Sequence, residues 1–249
     1  MGLYDRQPNQ EKPNLSSFFG AQNSATNESE THEEAYEIGD INAFVKKTYQ
    51  YFAASLLAGA AGAYAGLSVA PLIQSIYWVL VIAEIGLIFG LNFVRNKPGI
   101  NMLVLFAFTF ISGLTLAPML AMYLARAGGG AIIGETFLMT SAAFGGLTFF
   151  AMNTKRDFSS MGKMLFIALI VLIVGGIANI FLHSPILQLA IAGVGAVLFS
   201  AFILYDTQNI IKGGYDSPVS AAATLYLDFL NLFVSLLQIL GIVGGGKEE

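Results

Sequence analysis

The chain contains no cysteine, which excludes disulfides, thiolate metal sites and cysteine nucleophiles. Its two histidines, His32 and His183, lie far apart and offer no basis for a histidine-built metal centre. Charge is scarce as well. Only 11% of the 249 residues are Asp, Glu, Lys or Arg, against roughly a quarter in a soluble domain, so charge is too thin to cover a water-facing surface. The scarcity is local: no charged residue falls between Lys47 and Glu84, Lys97 and Arg126, Glu135 and Lys155, or Lys163 and Asp206. Each window holds one or two of the runs of roughly 20 apolar residues that cross a bilayer. With 55% hydrophobic residues and a mean hydropathy of +0.68, these windows describe an all-α polytopic membrane protein. The net charge of −4 and the lack of a basic stripe point away from nucleic acid. The N-terminus has no apolar core of a cleavable signal, and Arg6 stands where a myristoylation signal needs Ser or Thr.

Residues 1–42 hold eight of the sixteen Asp and Glu and are rich in Asn, Ser and Gln; so little to bury predicts a disordered tail. Within it, Leu15 to Gly20 is a small apolar island that reads first as part of the tail and otherwise as a contact for a membrane-protein partner or the membrane surface. A transmembrane domain is expected over 43–244 and a short tail over 245–249. Seven spans are expected at about 44–67, 76–94, 100–125, 131–152, 164–182, 187–211 and 221–243. Pro71, Pro98, Pro185 and Pro218 fall in the links, and Pro118 is expected to kink the third span. Gly59, Gly62, Gly86 and Gly90 read as small residues that let helices approach inside the bundle. With the N-terminus cytoplasmic, Arg6, Lys12, Lys46, Lys47, Arg95, Lys97, Lys155, Arg156, Lys163 and Lys212 lie inside, and only Arg126 and Lys247 outside. That bias predicts an odd number of spans with the C-terminus outside.

Three acids lie well inside spans: Glu84, Asp206 and Asp228. A carboxylate at mid-membrane costs roughly 2.5–3.5 kcal/mol on insertion scales, so such residues face the bundle interior and serve transport, proton exchange or an ion pair. Asp206 and Asp228 each begin an Asp-x-x-Asn, with Asn209 and Asn231 one turn on, which puts carboxyl and amide on one helical face. Asp206 lies about 7 Å before the cytoplasmic end of the sixth span and Asp228 about 10 Å into the seventh, at 1.5 Å per residue. The two fall at similar depth. In contact they would share a proton, and ionised they would offer hard oxygens to Ca²⁺. The alternative is two separate acids, each tied to the backbone or a basic partner. Arg95 follows Glu84 by eleven residues, nearly the same face, and could sit at the mouth of a cavity that Glu84 lines. It is equally accounted for as a topogenic charge beside Lys97.

Phe199-Ser-Ala-Phe-Ile-Leu-Tyr-Asp-Thr207, followed by Leu225-Tyr-Leu-Asp-Phe-Leu-Asn-Leu-Phe233, resembles the Bax inhibitor family of seven-helix membrane proteins. Phe110-Ile-Ser-Gly-Leu-Thr115 echoes a third-span pattern of that family. The resemblance covers about 44–243 and is specific in the last two spans. It implies a pH-sensitive calcium leak, with Asp206 and Asp228 as the sensor pair, Arg95 as the nearby basic residue and Glu84 as the acid of the second span. The C-terminus, Gly244 to Glu249, lacks the basic tail of eukaryotic members, and the chain looks like the bacterial branch, in the inner membrane.

The expected function is therefore a cation leak for Ca²⁺ gated by protons, in contact with lipid, with no bound cofactor and no catalysis. Asp206, Asp228 and Arg95 would sense and gate, Glu84, Asn209 and Asn231 would line the path, and the aspartates would meet the ion. A non-conducting regulator that binds other membrane proteins through the N-terminal tail is the second reading. An intramembrane aspartyl protease is a third. Tyr205-Asp206 fits half of its signature, but Tyr226-Leu227 stands before Asp228 in place of Gly-x-Gly.

Overall fold

In the computed structural model of the protein, the backbone is described over residues 15–245 and side chains over 40–242. Among these residues every long element is an α-helix: α1 (Leu15–Leu67), α2 (Ala70–Ser75), α3 (Tyr77–Val94), α4 (Ile100–Leu124), α5 (Gly129–Asn153), α6 (Gly162–Leu182), α7 (Pro185–Ile211) and α8 (Pro218–Gly245). A single 3₁₀ turn, Ser159–Met161, precedes α6. Six helices, α3 to α8, are long and apolar enough to cross a membrane. Their bounds lie within a few residues of the expected spans. In a bilayer, helices are the natural solution, since every backbone group is satisfied within the segment.

The first helix departs from expectation. The chain divides into two units after Asn42, yet α1 begins at Leu15, so the segment 15–42 is helical where its composition suggested disorder. The Ala, Glu and Gln of this stretch are good helix formers. Residues 1–14 of the expected N-terminal tail and 246–249 of the expected C-terminal tail lie outside the described residues.

Links are short and end on residues suited to sharp turns. Gly99 and Gly213 sit at φ +85° and +71°, a region open to glycine and costly to residues with a Cβ. Ser184 caps α7, its hydroxyl accepting from the Leu187 amide at 3.3 Å, with Pro185 at the first helical position.

The bundle is built around α8, which packs on α4, α5 and α7. Half of its membrane-length window is buried, against 6% for α3 and 11% for α6. The two peripheral helices show broad apolar faces, among them Trp78, Ile82, Phe89, Phe166, Val171 and Ile177, which suits lipid contact. The buried core, Phe52, Phe108, Phe144, Phe199 and Phe229 among others, gathers around α8, with Phe52 stacked on Phe144 at 4.7 Å between centroids. Gly59, Gly62 and Gly113 seat the C-terminal part of α1 against α4: a Cβ on Gly113 would collide with the Gly59 carbonyl, and one on Gly62 with that of Phe110. Gly86 and Gly90 do not follow this pattern. A Cβ there would meet nothing within 4 Å, so these two glycines, read from the sequence as packing devices, bring no described helix close.

Candidate functional site

α7 and α8 form an antiparallel hairpin across the link 212–217, the most extensive helix pairing in the bundle. Asp206 faces inward near the end of α7 and Asp228 faces inward from α8, and they are only 3% and 4% exposed. Their carboxyls are close neighbours across the seam, and the Asn209 amide lies near Asp206. Ionised carboxylates only accept hydrogen bonds, so a hydrogen bond between these two requires a proton on one of them. Without it, two charges at about 4 Å would repel by roughly 4 kcal/mol at an effective dielectric of about 20. The Oδ2 atoms of both meet no donor among the described residues. Asn231 donates back to the Leu227 carbonyl at 2.8 Å.

The link closes over this pair. Tyr215 donates its phenolic hydrogen to Asp206 Oδ1 at 2.6 Å. The pKa of this phenol is pushed up, by burial first and by the neighbouring Asp206 charge second, so it remains a donor across the physiological range. Adjacent Asp216 pairs with Arg95 at 2.6 Å, and the Asn101 amide holds the Arg95 carbonyl at 2.9 Å. Arg95, expected beside the aspartates, thus pins the link that carries Tyr215. At the other end of the link, Lys212 reaches Asp157 Oδ1 at 2.6 Å and the Ser159 hydroxyl at 2.9 Å. The Lys212 ammonium and the Ser159 amide hold the Asp157 carboxyl well below the usual carboxylate range.

Gln208, 3% exposed, fastens the same region. Its amide donates to the Arg156 carbonyl at 2.7 Å and accepts from the Phe158 amide at 2.7 Å. One side chain thus joins the end of α7 to the link between α5 and α6.

A cavity of about 540 Å³ opens from the aspartate pair between α6, α7 and α8. Along α8 it is lined by Thr224, Asp228, Asn231, Ser235 and Gln238. The steps of four and three residues keep all five on one helical face. Glu84 stands in a second cavity, of about 380 Å³, between α3, α4 and α8. There the Thr115 hydroxyl lies 2.6 Å from Glu84 Oε1 and 2.9 Å from the Ser112 carbonyl. Ser112 in turn meets Tyr226, whose hydroxyl donates to the Thr109 carbonyl at 3.1 Å. The structure therefore brings Asp206, Asp228 and Asn209 together, places Asn231 along the cavity, and sets Glu84 and Arg95 in separate surroundings.

This hairpin, with its two buried acids, lies within the stretch 41–245 that matches the family described as "Inhibitor of apoptosis-promoting Bax1". The chain belongs to the Bax inhibitor family. It is 48% identical to a Helicobacter pylori protein over 242 residues, 97% of both chains. It is 36% identical to a membrane protein of Vibrio cholerae over 206 residues, 82% of this chain and 91% of that one. A Golgi anti-apoptotic protein of vaccinia virus is 39% identical over 169 residues, 66% of this chain and 69% of its own. Six apolar helices and a family of membrane proteins make this chain a multi-pass integral membrane protein.

The sequence did not single out Tyr215, Gln208 or the polar stripe of this Bax inhibitor family member. Tyr215 sits in a link, where a tyrosine is ordinary. Gln208 and the stripe carried a signal: a glutamine inside an apolar span, and five polar residues on one face of α8.

Proposed function

We propose that the protein is a proton-gated cation leak with Ca²⁺ as cargo. The observation that carries this reading is the buried Asp206–Asp228 pair at the seam of α7 and α8, capped by Tyr215 and open to a cavity. A shared proton ties the two helices together. With both acids ionised, like charges repel across the seam and present oxygens to a divalent ion. Two carboxylates supply fewer than the six to eight oxygens Ca²⁺ takes when held tightly, so a passing ion keeps part of its water, as a leak requires.

In this reading the membrane-side part of α1 is a seventh span. Tyr49, Gln50 and Tyr51 dilute its hydropathy, and the close approach to α4 at Gly59, Gly62 and Gly113 supports its place beside the spanning helices. The N-terminus is cytoplasmic and the C-terminus outside, by the distribution of Lys and Arg. The Helicobacter and Vibrio relatives support a bacterial inner membrane as its location.

The test is Ca²⁺ flux into proteoliposomes as a function of pH. Asp206→Asn and Asp228→Asn each alter the pH dependence, and the double variant does little more than the stronger single, because the two groups act as a unit. Additive effects, or an intact pH response in either single variant, would sink the coupled gate. The vaccinia relative, a Golgi anti-apoptotic protein, favours a second reading, a non-conducting regulator that binds other membrane proteins. Flux from the purified protein alone separates the two.

A further inference from the structure

The two cavities share Val234 and Gln238 of α8. Gln238 is one end of a chain of amides that runs back to the link between α6 and α7. The Ser184 backbone amide donates to Asn179 Oδ1 at 3.1 Å, Asn179 Nδ2 donates to Gln188 Oε1 at 2.8 Å, and Gln188 Nε2 donates to Gln238 Oε1 at 2.6 Å. The first of these bonds sets the direction of all the others. A backbone N–H can only donate, so Asn179 must offer its oxygen to Ser184 and its amino group to Gln188. Gln188 must then turn its own amino group to Gln238. One lone pair of the Gln238 oxygen is thereby taken by the ladder and the oxygen is turned toward Gln188, while its Nε2 meets no acceptor among the described residues. Oxygen and nitrogen of an amide are otherwise hard to tell apart; here the backbone donor decides.

We infer that Gln238 is the collar between the Glu84 cavity and the aspartate cavity, and that the Asn179–Gln188 ladder keeps it shut to cations by holding the amide with its N–H₂ toward the passage. A donor at the narrow point offers a cation no oxygen and opposes it with the positive end of the amide dipole. Released from the ladder, the same side chain can turn its carbonyl inward and accept a partly hydrated cation. Beyond it lie Ser235, Asn231 and Asp228 on one face of α8. Gln238 is the residue a cation meets, and Gln188 and Asn179 are positioning residues. The inference rests on the leak reading for its cargo, while the route and its charge preference are properties of these side chains.

Because the chain has no cysteine, each introduced thiol is unique. Ser235→Cys and Asn231→Cys are reacted, in membrane vesicles, with a cationic and with an anionic methanethiosulfonate of similar size. The reagents are applied from the membrane face at which His183→Cys reacts. Val171→Cys, on the exposed face of α6, reports reaction through lipid. With the ladder intact, the cationic reagent reacts more slowly than the anionic one at Ser235→Cys, while Val171→Cys reacts with neither. Gln188→Leu, which leaves Gln238 in place but unheld, speeds the cationic reagent about tenfold, the worth of one hydrogen bond. Gln238→Glu does so by at least as much and slows the anionic one. A general loosening would speed both reagents alike, and that result, or no reaction at either site from this face, overturns the inference. Charge-selective labelling without Ca²⁺ flux would sink the leak and leave the collar standing.

Discussion

Tyr215 donates to Asp206 Oδ1 at 2.6 Å, so a residue of the link between the last two helices closes directly on a buried acid nine residues before it. The pair of aspartates is thus capped from the link side and open along α8 toward Gln238.

Tyr215→Phe removes the donor and keeps the ring. It is expected to lower stability by about 1–2 kcal/mol and to raise Ca²⁺ leak at neutral pH. The folded state raises the pKa of this phenol and so favours its neutral form. That contribution is complete below the unfolded value of about 10 and is lost as pH rises through the folded one. The stability gap between wild type and variant, followed by thermal unfolding, therefore stays constant from pH 7 to 9. A gap that shrinks within that range would place Tyr215 elsewhere.

Arg95 and Asp216 form an exposed pair at 2.6 Å, and such pairs contribute about 0–1 kcal/mol to stability. Their effect should instead fall on the link. Arg95→Gln and Asp216→Asn are expected to raise the leak to the same extent, with the double variant no worse than either. A response to Arg95→Gln alone would mean that the guanidinium acts on the aspartates and not through Asp216.

Asp157 is held below the usual carboxylate range by Lys212 and Ser159. The folded state prefers its ionised form, so its contribution is present above the unfolded pKa of about 3.9 and is lost as pH falls through the lower folded value. Asp157→Asn should cause a small drop in unfolding temperature at pH 7 that fades below about pH 4. A drop that persists unchanged into the more acidic range would show that the ion pair is not its source.

Gly113→Ala places a methyl group against the Gly59 carbonyl and is expected to cost about 1–3 kcal/mol, as overpacking does. Gly86→Ala meets open space and should leave stability within about 0.5 kcal/mol. Equal effects in a thermal-unfolding comparison would contradict the close α1–α4 contact.

The spans were legible because a bilayer imposes length and hydropathy on each helix separately, so α3 to α8 could be placed without knowing their neighbours. The aspartate pair was legible for a related reason: a carboxylate inside an apolar run is expensive wherever it sits, and two at matched depth on consecutive helices have an obvious solution in each other. Tyr215 and the partner of Arg95 were not, because links have no periodicity and a charge there has several acids within reach. The stripe from Thr224 to Gln238 lay between these cases. Its spacing is regular, but hydroxyls and amides are cheap enough in a helix that none draws notice alone. The helix from Leu15 was missed because a composition that predicts lack of a core says little about local helix propensity.

Asp206, Tyr215 and Asp228 come from 23 consecutive residues, residues 206–228 of the sequence. This has a consequence for biogenesis. An acid in an isolated span enters the bilayer at its full insertion cost, roughly 2.5–3.5 kcal/mol. Two acids on one hairpin enter together, and can share a proton before any other helix has docked. The hairpin thus arrives with one negative charge on its inner face in place of two, and a chain truncated between Asp206 and Asp228 should insert the helix that carries Asp206 less efficiently than one that includes both acids.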